Sequence, residues 1–210
     1  MRKKLAILAI VAVFAFATAS VCSAQVSNSK TFTLSATIPA AGSILIDPWI
    51  APDEGTPSSL GSALALSFDP LTLDPEFDVL LPNHHFYINV KGVGGAGIPT
   101  TTLTFTQGAN PNSGAGGHGL GWKGSLTYTY VHWANDIETP YEMPAHPKEL
   151  LKDVISDQVT PAQIGAGNYF RAYVGINTGD DTMPTGGEVF TYNDQAGLYD
   201  GTLLVSSTIP

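Results

Sequence analysis

The sequence predicts an all-β protein, a two-sheet sandwich of immunoglobulin-like character, and three observations carry that prediction. Segments with period-two alternation recur about every dozen residues. The composition suits pleated strands and turns: Thr, Val, Tyr, Phe and Ile are plentiful, Gly (22) and Pro (15) punctuate often, and charged residues make up only 13%. Helical periodicity appears in one short stretch alone. Seven or eight such strands with turn chemistry between them form a sandwich more readily than any helical or βαβ fold.

In chain order, Arg2, Lys3 and Lys4 precede an apolar run from Leu5 to Ala17. That run is too short to span a bilayer and has the length of a signal-peptide core. The small residues Cys22 and Ala24 predict cleavage after residue 24, so 1–24 is expected to be a leader and 25–210 a single β-sandwich domain. Lipidation at Cys22 fits less well, because the bulky Val21 precedes it. Cleavage removes the one cysteine, so packing rather than disulfides must hold the domain.

From Gln25 to Ile38 the residues sort by parity: Ser27, Ser29, Thr31, Thr33, Ser35 and Thr37 on one, Val26, Phe32, Leu34, Ala36 and Ile38 on the other. Successive strand residues point to opposite faces, which gives one hydroxyl face and one apolar face. Ser43 to Ile46 begins the next strand, and a Pro/Gly/Ser loop follows around Pro52 to Ser59. Leu64, Leu66 and Phe68 then share a predicted face. Asp69-Pro70 and Asp74-Pro75 bracket a short extended piece, since the residue before proline avoids helix.

Phe86, Ile88 and Val90 alternate with Tyr87, Asn89 and Lys91, and Leu103 and Phe105 continue the pattern before a Gly/Asn-rich loop from Gln107 to Gly121. Trp122 to Trp133 reads as a strand with Leu126, Tyr128 and Tyr130 on one side. In Tyr169 to Ile176, Phe170, Ala172, Val174 and Ile176 share a face. The last strand, Thr202 to Ile209, aligns Leu203, Val205 and Ile209. One helix is expected near 147–156: Pro147 opens it, Glu149 sits in the first turn, and Leu150, Leu151, Val154 and Ile155 recur at helical spacing.

Removal of the leader takes three of nine basic residues and none of eighteen acidic ones, moving the formal charge from -9 to about -12. That excess argues against nucleic acid and anionic membrane as partners, and no segment after the leader is long and apolar enough for direct membrane insertion.

The histidines offer no metal spacing: His84 and His85 are adjacent and point apart, while His118, His132 and His146 stand singly. Asp180-Asp181 with Glu188, and Asn193-Asp194 with Asp200, could supply oxygen ligands for calcium, though turn chemistry accounts for the same residues. A secreted glycoside hydrolase could use Asp74 with Glu76 or Asp136 with Glu138, but such pairs occur in any acidic sandwich. There is no nucleophile elbow, phosphate loop or reactive thiol, so no catalytic residue, cofactor or metal ligand is assigned and no enzyme is expected. Trp49, Trp122, Trp133, Tyr141 and Tyr169 could form a sugar platform, which defines the alternative of a monomeric carbohydrate-binding or adhesive module.

Four stretches then carry a family resemblance: TFTLSATIPAAGSILI after the leader, SALALSFDP, FYINVKG, and the closing GLYDGTLLVSSTIP. In this order, covering about a third of the chain, they resemble the major subunits of the alpha-type chaperone–usher fimbriae, the colonisation-factor pilin class. A weaker likeness is to the spore-coat-U-like secreted fimbrial proteins. The resemblance implies an incomplete sandwich that borrows its missing strand from a neighbouring copy, with residues 25–38 as the donor strand. It implies that Phe32, Leu34, Ala36 and Ile38 enter the neighbour's groove. It also implies a homopolymer on the cell surface, reached through the periplasm with a chaperone and an outer-membrane usher. The opposing expectation is a first strand paired within its own chain with no slot left open, which would make a self-sufficient exported domain.

Overall fold

The computed structural model describes residues 31–37, 44–108, 118–132, 149–180 and 183–209, with 31–37 described as backbone. The expected leader, residues 25–30 and Ile38 lie outside this range. Strands dominate. In chain order they are β1 (Thr31–Thr37), β2 (Ile44–Pro52), β3 (Ser58–Ser59), β4 (Ala65–Ser67), β5 (Thr72–Asp74), β6 (Val79–Leu81), β7 (His84–Gly92), β8 (Thr100–Gln107), β9 (Gly124–His132), β10 (Glu149–Leu150), β11 (Asp157–Val159), β12 (Asn168–Ile176) and β13 (Gly201–Thr208). Helix among the described residues is confined to α1 (Leu120–Lys123), α2 (Pro161–Ile164) and a 3-10 turn at Leu151–Asp153.

One sheet has the order β11-β8-β13-β1-β4 and a larger one β10-β9-β12-β7-β2-β3, with β5 and β6 as a separate hairpin. The chain is all-β and sandwich-like, because the inward rows of both large sheets meet in one apolar core. Phe86, Ile88 and Val90 from β7, Phe170, Ala172 and Val174 from β12, Leu103 from β8 and Leu203 and Val205 from β13 are buried there. Each of these rows is a parity set visible in the sequence. Among the described strands every pair is antiparallel except β1 with β13, which is parallel.

Three expectations need correction. From Glu149 onward the expected helix is absent: the chain forms β10, then a single 3-10 turn, then β11. Glu149 and Leu150 find backbone partners opposite Leu126 and Ser125 on β9, and the spacing of the buried Leu151 and Val154 fits one tight turn as well as it fits a helix. Ile155, expected on the buried face, is 72% exposed. Secondly, Leu64 does not join Leu66 and Phe68 in the core: β4 begins at Ala65, and Leu64 is 59% exposed. Lastly, Trp122 belongs to α1 rather than to the strand, which starts at Gly124.

The larger sheet differs from a simple one-sided sheet in that its outer face is also buried. Register aligns Trp49, Tyr87, Tyr173 and Thr127 in one cross-strand row and Asp47, Asn89, Arg171 and Thr129 in the next. Tyr87, Tyr173, Thr127 and Arg171 are all fully buried. Arg171 donates from Nε to Asn89 Oδ1 at 2.7 Å and from Nη2 to the Tyr169 hydroxyl at 2.9 Å, and its guanidinium lies 4.5 Å from the Tyr87 ring centre. A buried cation is tolerable when its donors are used and aromatic faces surround it.

Candidate functional site: the slot between β13 and β4

The candidate site is built from the two ends of the described chain. β13 pairs along one edge with β8 over eight residues, Gly201 to Thr208. Its other edge is taken by β1, which runs parallel to it with Phe32 to Thr37 opposite Gly201 to Ser206. On its far side β1 pairs antiparallel with β4, Thr31 to Thr33 opposite Ser67 to Ala65. β4 has no other ladder partner among the described strands, so β1 alone joins it to the sheet.

Partners directly across a sheet share a face, and the register therefore sets the polarity of the slot. Phe32, Leu34 and Ala36 stand opposite Gly201, Leu203 and Val205, which are buried, and Phe32 also stands opposite the buried Leu66. Thr33, Ser35 and Thr37 stand opposite Thr202, Leu204 and Ser206, the half-buried row. By backbone register the apolar parity of β1 is aligned with the buried row of β13 and the hydroxyl parity with the half-buried row.

Gly201 is a feature that sequence reading passed over. A Cβ there would collide with Phe105 Cζ, so the ring of Phe105 lies against the bare backbone at the position opposite Phe32. Only its place at the head of the closing strand hinted at this. The floor beneath the slot is aromatic as well: Phe68 meets Phe86 edge to face at 4.9 Å and stacks on the buried His84, whose Nε2 lies 2.8 Å from the Ser67 carbonyl of β4.

The remaining candidates are scattered. Trp49 donates from Nε1 to Asp47 at 2.6 Å and stacks on Tyr87 on the outer face of the larger sheet, whereas Trp122 stacks on His118 at 4.1 Å with Lys152 Nζ over its ring. Tyr169 is buried, and Trp133 and Tyr141 lie outside the described residues. The described members of the supposed sugar platform therefore do not converge. Of the acids weighed for hydrolysis, Asp74 caps its own turn by accepting from the Glu76 N–H at 2.9 Å, and Asp136 and Glu138 are not described.

Glu188 and Asp194, weighed for calcium, instead flank the buried ammonium of Lys123 at 3.6 and 2.8 Å. Glu188 also hydrogen-bonds His118. Lys123 was not singled out from sequence, and no spacing signal could have found it, because its partners are more than sixty residues away. His84 and His85 do point apart: His84 packs on Phe68, and His85 lies beside Tyr173, where burial pushes its pKa below the ordinary value.

Among the described residues no cluster of three His, Cys, Asp or Glu is arranged to hold a metal, and no helix is long and apolar enough to cross a membrane. Comparison with protein-family models, with curated proteins and with solved structures returns no match for this chain.

Proposed function

We propose that this chain is an exported structural subunit of a surface fimbria that polymerises by donor-strand exchange, with β1 of one copy taking the place of β1 in the next. The observation that carries the reading is that β1, the one strand paired parallel among those described, is inserted between β13 and β4 and alone among them links the two. In this reading the domain is an immunoglobulin-like sandwich short of one strand. Phe32, Leu34 and Ala36, with Ile38 beyond them, are the residues exchanged. An isolated copy has only its own β1 to offer, so the intramolecular pairing is its resting state.

The energetics suit exchange. Burying Phe, Leu and Ile side chains contributes about 1.5–3 kcal/mol each, a sum comparable to the whole stability of a typical domain. A slot emptied of β1 is therefore strongly driven to refill. The partners of this reading are neighbouring copies, a periplasmic chaperone and an outer-membrane usher, and its setting is the cell surface.

A second reading is favoured by one specific observation, that β1 pairs with two strands of its own chain. On that reading the molecule is a self-contained exported adhesive or carbohydrate-binding module.

The experiment that separates them is deletion of residues 25–38 followed by addition of a synthetic peptide of that sequence. Exchange requires that the truncated domain capture the peptide and that the full chain form multimers of stacked subunits. A full chain that stays monomeric at high concentration, and never trades its β1 for labelled peptide, would leave the self-contained module.

A further inference from the structure

The short strands β10 and β11 close the same side of the molecule, one ending the six-stranded sheet and the other the five-stranded sheet. Residues 151–156 join them, and this link is held firmly. Leu151 and Val154 are buried, and the Val154 carbonyl accepts from the Phe105 N–H of β8 at 2.7 Å. Register puts Glu149 opposite Leu126 on β9 and Asp157 opposite Leu103 on β8. Both leucines are fully buried on the inward rows. Because cross-strand partners share a face, the two carboxyl groups sit on the inward rows of facing sheets, at the open rim of the core.

Among the described residues, the groups around them place no cation between the two carboxyls. Asp153, on the intervening turn, is a third carboxylate and binds Lys152 Nζ at 2.6 Å. The ammonium of Lys152 also lies 4.4 Å from the centre of the Trp122 ring. From β9 the neighbour is the phenol of Tyr128, which itself lies beside Tyr130. Among the described residues no donor reaches the buried Asp157 Oδ2 while both carboxyls are ionised, which leaves it an acceptor for a proton held by Glu149.

We propose that Glu149 and Asp157 form a proton-dependent latch between the two sheets, closed while one carboxyl is protonated and donates to the other, and released when both ionise. Two facing carboxylates repel at close range, and a shared proton removes the repulsion. As pH rises the proton leaves to solvent. The latch would then free the β10 and β11 ends and expose the edges of β9 and β8 to strand addition, which the inward acids guard against while closed.

Burial, then the hydrogen bond with Asp157, then the charges of Asp157 and Asp153 push the Glu149 pKa up to about 7. The folded chain holds this proton more tightly than the unfolded chain. Its stabilising contribution is complete below the ordinary glutamate range and is lost as pH rises through about 7.

The test is carboxyl-carbon NMR titration of the full chain labelled at glutamate, together with melting temperature against pH. One glutamate should titrate near neutrality, vanish in E149Q, and move to lower pH in D157N, where burial still holds it above the ordinary range. The wild-type melting temperature should drop between slightly acid and slightly alkaline solution, and E149Q should flatten that drop. If E149Q fails to fold, D157N carries the same comparison. Glutamates that all titrate in the ordinary range, or parallel melting profiles for wild type and variants, would overturn the latch.

Discussion

Arg171 organises more of the interior than its charge would suggest. Its guanidinium lies fully buried between Asn89, Tyr169 and the Tyr87 ring. Removing it leaves two buried oxygens without their donors, so Arg171→Ala should cost about 2–4 kcal/mol in urea unfolding. Arg171→Lys should recover only part, because an ammonium cannot reproduce the forked donation. The neighbouring Tyr87 phenol is pushed up to about 12 by burial, with the Arg171 charge opposing the shift. Holding that proton stabilises the fold below the ordinary tyrosine range, and the contribution is lost as pH rises through about 12. Ultraviolet titration of the folded protein should therefore show late phenolate absorbance that Tyr87→Phe reduces. At Gly201 the limit is space. Gly201→Ala drives a methyl into the Phe105 ring and should destabilise by about 1–3 kcal/mol, again readable from urea unfolding.

The elements divide by how local their causes are. β7, β12 and β13 could be read from sequence, since Phe86, Ile88 and Val90, or Leu203 and Val205, alternate without interruption and each set is buried. The turn at Glu149 to Ile155 could not, because Leu151 and Val154 have the same spacing in one 3-10 turn as in a helix, and the choice went to backbone pairing with β9. α2 is held by chemistry at its start: the backbone N–H of Thr160 donates to Gln163 Oε1 at 2.8 Å. Gln163→Ala should cost about 0.5–1 kcal/mol, measured by urea unfolding, as loss of a cap does. For β1, Phe32→Asp places a charge at the position opposite Gly201 and Leu66. It should abolish peptide-driven or subunit-driven exchange and lower the melting temperature of the full chain. Normal assembly by that variant would show that the apolar parity is not what enters the slot.

For the molecule as a whole, the proposed exchange would make stability depend on concentration. Multimers formed by the full chain should melt above the monomer, while the chain lacking residues 25–38 should melt below both and be raised by added peptide. Calorimetry across protein concentration checks this. A concentration-independent melt with no multimer would match the self-contained module instead. Acidity belongs here too: the formal charge of about -12 expected after cleavage sets no strand, but it bears on which surfaces this one will approach.

By itself the sequence determined the β class and the inward rows of the long strands, because side-chain alternation is a local property with period two. Tertiary structure decided what no local pattern encodes. It paired β1 parallel with the far end of the chain and buried both faces of the larger sheet around Arg171. It also brought Glu188 and Asp194 to Lys123, and set Glu149 across from Asp157. Each of these joins residues far apart in sequence or in separate sheets, and such partners are selected by packing and charge only once the two sheets have closed on their core.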